Sequence, residues 1–595
     1  LTLPQANHSF LGVERSIGGR RWVLRPADDG LGVALAQAHA LPEVVGRLMA
    51  ARGVALEAAE DFLSPTLRRL LPDPEALADM NAAAQRLAEA VSGGETIAIF
   101  GDYDVDGATS AALLHRFFRQ LGATVLVHIP DRRAEGYGPN LAAFQELQAK
   151  GASLVVTVDC GITAFEPLAG AARAGLDVVV CDHHQAETRL PEARAVVNPK
   201  RPDDTSGLEH LAAVGVAFLL AVAVNRALRD AGHYANGRAE PDLKALLDLV
   251  ALGTVCDMVP LVGLNRALVT QGLKVMARRD NVGLAALADV CRLDRPPEAF
   301  HLGYVMGPRV NAGGRVGQAD LGARLLASED PAEARAIAEQ LNELNGLRQE
   351  VEAAVLKAAI EQVESRPHGD SPLLFALGRD WHPGVVGIVA GRLRERYDLP
   401  AIVATDEGGM VKGSGRGVPG LDLGGAVIAA REAGLLVNGG GHAMAAGFTV
   451  EADRLAAFQA FLDARLAEQL AACDLVPTLE LDGAVDAAGA SWTLIETLAR
   501  VGPFGIGNPE PRFVLPDCRI ARVDVVGQGH VRCFIEGPRG GRLKAIAFKA
   551  ADSDVGVRLL ASAQASLHLA GTLRPDTYNG RQDVQLVIDD AAEAG

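Results

Sequence analysis

Between residues 95 and 260 short, near-continuous apolar runs alternate with alanine-rich stretches of helical period. The runs at 96–100 (TIAIF), 124–129 (TVLVHI), 154–158 (LVVTV) and 177–181 (DVVVC) carry almost no polar position. Strands covered on both faces read this way, and the amphipathic segments between them are long enough for crossover helices. The pattern predicts an α/β fold built on a doubly wound parallel sheet. The longest uncharged apolar run, 211–224, is too short to cross about 30 Å of hydrocarbon, so it reads as a buried helix. Ser328-Glu-Asp-Pro331 is a helix-start signal, and apolar residues then recur near helical spacing from Ile337 to Val363. A helix of about 30 residues spans roughly 45 Å, longer than one small core needs, and is read as a connector between domains. A second α/β pattern follows, with strands at 373–376 and 401–404. After 473 short strands (519–526, 531–535, 543–548) are separated by Gly and Pro turns, as in a small β-barrel. The expected division is an N-terminal segment (1–75) of undefined character, an α/β domain (76–327), a connecting helix (328–370), a smaller α/β domain (371–472) and a barrel (473–595).

Composition narrows the class. Seven cysteines are scattered without a CxxC pair, which disfavours a zinc knuckle or a disulfide framework and predicts reduced thiols in a cytoplasmic protein. No export signal or membrane span is read. The net charge of −17 argues against indiscriminate nucleic-acid binding. Any basic track must be local.

The acids and histidines fall where chemistry is expected. The first run leads into Gly101-Asp102-Tyr-Asp104-Val-Asp106-Gly107, the third ends at Asp159, and the fourth at Asp182-His183-His184. In an open parallel sheet such strand ends line one crevice, where ligands bind. Asp257, after the apolar segment 246–252, is a fourth candidate. Carboxylates this close, with no Lys or Arg beside them in sequence, would repel and take up protons unless a cation held them. Carboxylate-rich ligation with one or two imidazoles suits Mn²⁺ or Mg²⁺, and several acids suit a two-metal site. A lone Asp after a strand is usually a turn residue or a helix cap. The recurrence after three strands is what favours a shared site.

Downstream, Gly307-Pro-Arg309-Val-Asn311-Ala-Gly-Gly-Arg315, Trp381-His382-Pro-Gly, Gly413-Ser414-Gly-Arg416 and Asn438-Gly-Gly-Gly-His442 combine glycines with cations or hydrogen-bond donors. Glycine lets a backbone approach an anion closely, and Arg offers a forked donor for phosphate oxygens. The bland reading is tight turns, and GSGRG does not meet the P-loop pattern. Arg132 and Tyr137, after the second run, read equally well as contacts to a terminal phosphate or base and as a solvated basic turn.

Asp102-x-Asp104-x-Asp106-Gly, Asp159, Asp182-His183-His184 and Asp257 resemble, in order and strand context, the four motifs of the DHH phosphoesterases. The resemblance implies that Asp104, Asp106, Asp159, His183 and Asp257 hold the metals, with Asp159 bridging. It casts Asp102 and His184 as supports or transition-state contacts and Asp182 as the residue orienting the histidine loop. The glycine-rich motifs resemble a DHH-associated substrate domain, in which Ser414, Arg416 and His442 match the contact positions, while Gly502-Pro-Phe-Gly-Ile-Gly-Asn resembles the entry to an oligonucleotide-binding (OB) fold. Together these imply the exonuclease branch of the superfamily: degradation of single-stranded DNA from its 5′ end in repair and recombination. A monomer is implied, with a single-strand binding protein and a RecQ-type helicase as partners. Two alternatives stay open: a phosphodiesterase or phosphatase acting on very short oligonucleotides, and a non-catalytic nucleic-acid scaffold.

Overall fold

The computed structural model describes residues 9–131, 135–235, 237–365, 371–471, 476–562, 565–576 and 582–594. The chain forms two compact units, one of residues 1–311, 319–339 and 478–595, the other of 312–318 and 340–477.

In the first unit, β1 (Arg21–Leu24) lies near the N-terminus and is followed by the five strands of a parallel sheet. These are β2 (Thr96–Gly101), β3 (Thr124–His128), β4 (Ala152–Val158), β5 (Asp177–Cys181) and β6 (Ala195–Val197), in the order β3-β2-β4-β5-β6. The sheet is α/β and parallel as its apolar runs predict, with β2, β4 and β5 almost wholly buried. After β2 the chain steps outward to β3 and then returns to the other side of β2 as β4. The topological switch point therefore lies between the C-terminal ends of β2 and β4. The apolar run at 211–224 belongs to a buried helix, Ala213–Asp230.

A single helix, Pro331–Ser365, runs 35 residues, about 52 Å at 1.5 Å per residue. The second unit then forms a mixed sheet of β7 (Leu374–Arg379), β8 (Ala401–Asp406), β9 (Met410–Arg416), β10 (Asn438–His442) and β11 (Ala445–Glu451), in the order β10-β11-β9-β8-β7. Only β7 and β8 pair in parallel.

Past this sheet, β12 (Thr478–Leu481) pairs with β1, and β13 (Gly483–Ala484) leads into the barrel. The barrel strands are β14 (Phe513–Val526), β15 (His530–Glu536), β16 (Arg542–Ala547), β17 (Ser566–Asp576) and β18 (Asp583–Glu593). They follow the order β14-β15-β16-β18-β17, and β17 pairs back with β14 to close the five-stranded barrel.

Two sequence expectations change here. From residue 9 the N-terminal segment has a defined structure, and its Leu35, Val45 and Leu48 share one core with Phe513, Leu515, Val531 and Leu586 of the barrel. Buried Asp590 in β18 accepts hydrogen bonds from Ser16 Oγ (2.6 Å) and Trp22 Nε1 (3.0 Å). These partners lie more than 560 residues apart, so no local pattern could announce them. The glycine-rich stretch 307–315, for which tight turns are the bland reading, forms an α-helix, Gly307–Val316. Gly307 serves packing, since a Cβ there would lie 2.4 Å from Cys256 Sγ.

Candidate metal centre

The switch point collects the acids. Asp102 follows β2 directly, and Asp104 caps the helix Val105–Gln120, its Oδ1 accepting from the amides of Asp106 (2.9 Å) and Gly107 (3.1 Å). This is an N-cap used to aim a carboxylate. The turn closes only because residue 107 is glycine, since a Cβ there would stand 2.4 Å from the Asp102 carbonyl oxygen. Asp106, fully buried, accepts from the amides of Ala213 (2.6 Å) and Val214 (2.9 Å) at the start of the Ala213–Asp230 helix. A helix N-terminus stabilises such an anion. Asp159 leaves β4 in left-handed backbone, φ 62°, a strained conformation for a residue with a side chain.

After β5, Asp182 anchors the histidine loop. Its carboxylate accepts from the amides of Ile162, His183 and His184 and from His184 Nδ1 at 2.8 Å. Burial works to raise its pKa, but the His184 contact and the amides outweigh this and hold it below the usual carboxylate value. The same contact raises the pKa of half-open His184 against the effect of its own burial. Asn198, fully buried, donates to the His184 carbonyl and accepts from the Lys200 amide.

His183 behaves differently. Burial lowers its pKa and keeps it neutral, and its Nδ1 donates to the Leu211 carbonyl at 3.1 Å. The Nε2 lone pair is thereby aimed at Asp159 Oδ1, 3.2 Å away. Neither atom has a hydrogen-bond partner among the described residues. Asp257, C-cap of the helix Leu247–Cys256, completes the group, its Oδ2 likewise unpartnered and 3.6 Å from the His183 ring. This fourth acid arrives on a helix, not a strand.

Burial, and then the surrounding acids, raise the pKa of Asp159 well above the usual range. Asp106 and Asp257 are each pushed up to about 7, by burial first and then by Asp257 and by Asp104 respectively. Three overlapping sets bring donor atoms within 4.8 Å of one another: Asp102, Asp104 and Asp159; Asp106, His183 and Asp257; Asp159, His183 and His184. Lone pair facing lone pair in a buried, acid-rich crevice is a geometry that divalent cations neutralise, so the residues fit such ions. Asp102, expected as a support, also has a donor position. The positive charge of Lys200 reaches His183 and Asp257 and acts to lower the pKa of each. Sequence reading placed no cation beside the acids, because Lys200 lies far from all four motifs.

The other candidates spread over the fold. Arg132 lies outside the described residues. Tyr137 stands at the rim, its hydroxyl 3.3 Å from the Asp159 carbonyl and its ring 6.1 Å from that of His184, edge to face. Arg309 and Asn311 lie on the Gly307–Val316 helix, with Arg309 Nη1 donating to the Val305 carbonyl at 2.6 Å.

In the second unit, Arg315 Nη1 donates to the Gly384 carbonyl (3.0 Å), and His382 caps the helix Pro383–Tyr397 by accepting from the Gly384 amide. Arg416 donates to Ser414 Oγ (3.1 Å) and to the Gly415 carbonyl (2.9 Å). Burial, then the neighbouring Arg394, lowers its pKa. A Cβ on Gly387 would lie 3.0 Å from Ser414 Oγ, so the helix passes close over this pair. His442 is exposed and lies in register with Arg416 through Ala445 of the intervening β11.

An acid- and imidazole-lined switch point carrying the Asp182-His183-His184 triplet defines a DHH-type phosphoesterase domain. In agreement, residues 96–254 match the DHH family, N-terminal domain, residues 370–468 the DHHA1 domain and residues 481–590 the RecJ OB domain. The chain is 38% identical to the single-stranded-DNA-specific exonuclease RecJ of Dickeya dadantii, over 92% of this chain and 96% of that one. It is 35% identical to the RecJ of Bacillus subtilis, over 96% of this chain and 71% of that one. The crystal structure of RecJ from Thermus thermophilus in complex with Mn²⁺ superposes with a TM-score of 0.80 at 30% identity, covering 96% of this chain and 79% of that one. The chain belongs to the RecJ family.

Proposed function

We propose that the protein is a metal-dependent exonuclease that degrades single-stranded DNA from the 5′ end, releases 5′-mononucleotides, and acts in DNA repair and recombination. The observation that carries this reading is the buried pairing of His183 Nε2 with Asp159 Oδ1 at 3.2 Å, both without a hydrogen-bond partner among the described residues, inside three overlapping donor sets. The kinship supports it too, since the RecJ relatives are single-stranded-DNA-specific exonucleases and solved RecJ structures hold Mn²⁺ or Mg²⁺.

In this reading Asp104, Asp106, Asp159, His183 and Asp257 would hold two divalent cations, Mn²⁺ or Mg²⁺, Asp159 being the carboxylate common to two of the donor sets. When bound, such a pair supplies a nucleophilic water and offsets charge growing on the phosphate and the leaving oxygen. The chain's own residues do the positioning. Asp182 accepts from His184 Nδ1 and favours the protonated ring, and in that form Nε2–H meets a phosphate oxygen. Tyr137 closes the rim beside Asp159 and gives the terminal base an edge. Ser414, Arg416 and His442 take the 5′ phosphate, and Arg309, Asn311, Arg315 and His382 follow the backbone. The barrel holds the strand by stacking and cation contacts, as with exposed Phe548 beside Lys549. As part of the same proposal the protein works as a monomer in the cytoplasm, on strands delivered by a RecQ-type helicase and a single-strand binding protein. No helix among the described residues is long and apolar enough to cross a membrane.

The test is digestion of 5′- and 3′-labelled single strands and duplexes with and without added Mn²⁺ or Mg²⁺. Metal-dependent loss of 5′-terminal mononucleotides from single strands is expected. Equal rates in excess chelator, or attack from the 3′ end, would overturn the reading.

A further inference from the structure

We propose that Phe300 and Tyr304 form a base-stacking platform for the single strand, a nucleotide subsite distinct from the metal centre and from the barrel. The proposal rests on the nuclease reading above and extends it.

The two rings stack with centroids 5.1 Å apart and planes 26° from parallel. Phe300 is 52% and Tyr304 72% exposed, the latter the most exposed large apolar side chain among the described residues. Paired aromatics normally bury their area. A stacked pair left in water is a surface kept for something flat.

The platform is also held in place. Glu298 and His301 form a reciprocal capping box at the start of this segment, with the Glu298 amide donating to His301 Nδ1 at 3.0 Å. His301 is buried, and its ring meets Phe300 edge to face at 5.8 Å, so the pair is packed from beneath. Tyr304 lies within a π-helical turn, Leu302–Met306, a wide turn that recurs at functional sites.

That turn lies against the chain carrying Asp257. Cys256 Sγ contacts the Leu302 carbonyl at 3.4 Å, and a Cβ on Gly303 would lie 3.5 Å from Val255 Cγ1. Residues 255 and 256 directly precede Asp257 on its helix. The platform and one arm of the metal centre are therefore packed as a single piece. Arg309, bonded to the Val305 carbonyl of the same turn, brings positive charge to it. On a chain with net charge −17, a cation held at the Val305 carbonyl, one residue along from Tyr304, suits a base with its phosphate better than an acidic protein surface.

The experiment uses the full chain with Phe300→Ala/Tyr304→Ala, Tyr304→Leu and Tyr304→Phe, each checked for an unchanged thermal melt. Affinity is read on a natural single strand and on the same strand made abasic, with Ca²⁺ replacing the activating metal. The double variant should bind the natural strand about fivefold or more weakly. Tyr304→Leu should fall in the same direction, Tyr304→Phe should match the parent, and the abasic strand should not respond to any of the three. Affinity of the double variant within twofold of the parent, or an equal loss on natural and abasic strands, would overturn the platform. So would unaltered DNA binding together with lost binding of a partner protein. A parent chain that shows no metal-dependent single-strand degradation would instead overturn the nuclease reading, so the two failures are distinguishable.

Discussion

Each compact unit contains a five-stranded sheet, yet the two gather polar groups in opposite ways. The first sheet is wholly parallel, so its crossovers return every strand end to one edge. Asp102 to Asp106, Asp159 and the Asp182–His184 loop meet there from separate stretches of chain, and the Leu247–Cys256 helix adds Asp257. The second sheet is mixed, and its antiparallel pairings align Arg416, Ala445 and His442 by register across three neighbouring strands. The first arrangement is buried, and its Asp159 Oδ1, His183 Nε2 and Asp257 Oδ2 have no hydrogen-bond partner among the described residues. In the second, Arg416 is tied to Ser414 and a main-chain carbonyl, and His442 lies open. The first site is thus built to demand cations, and the proposed function gives the second an anion.

The sharpest way to break this contrast is Asp159→Ala. It removes the carboxylate common to two donor sets, and metal-dependent degradation of single strands should fall more than about a hundredfold, with weaker metal binding by calorimetry. Arg416→Ala, in the other sheet, should leave metal binding intact. It should raise KM for a 5′-phosphorylated strand about tenfold, while a 5′-hydroxyl strand changes little.

Gly253→Ala probes the packing behind the first site. Its Cβ would lie 2.3 Å from Thr109 Oγ1 and 3.0 Å from Asp106 Oδ1, so a loss of about 1–3 kcal/mol of stability in denaturant melts is expected, together with weaker metal binding. The smallest effect concerns pH. In chelator, Asp106 and Asp257 titrate near 7 in the folded chain and near 4 unfolded, so the folded state binds the extra protons between those values. Their contribution to stability is fully present below about pH 4 and is lost as pH rises through about 7. The chelated protein should therefore gain from these two groups on moving from pH 8 to pH 5. Added metal should oppose that trend, since protons compete with it for the same oxygens. Thermal melts at both pH values, with and without Mn²⁺, check the sign.

The shared core of the N-terminal segment and the barrel bears on how the barrel can be tested. Removing residues 473–595 would expose Leu35, Val45 and Leu48 and strip Arg266 Nη2 of its acceptors, the Val501 and Gly502 carbonyls. Deletion would thus report on folding rather than on strand affinity. Point changes at exposed positions such as Phe548 avoid this.

Much of the architecture could be read from the chain, because it is encoded locally. Apolar runs at 96–100, 154–158 and 177–181 fall on strands, since a doubly covered strand needs nearly every side chain apolar. The acids follow the strand ends because a parallel sheet aligns those ends, and the Asp182-His183-His184 triplet is contiguous. Other features were hidden because their cause is distant or local spacing misleads. Gly307 and Gly313 look like loop residues but sit in a helix, which at Gly307 packs closely on Cys256.

The amino-acid order alone determined which residue types stand at the ends of the apolar runs, and hence the kind of ion and reaction to look for. Tertiary packing alone decided that the Leu211 carbonyl sets the tautomer of His183, that the Ala213–Asp230 helix turns its amides on Asp106, and that the charge of Lys200 reaches His183 and Asp257. These contacts join positions up to 108 residues apart. Their energies arise from burial and orientation, which exist only once the chain has closed on itself.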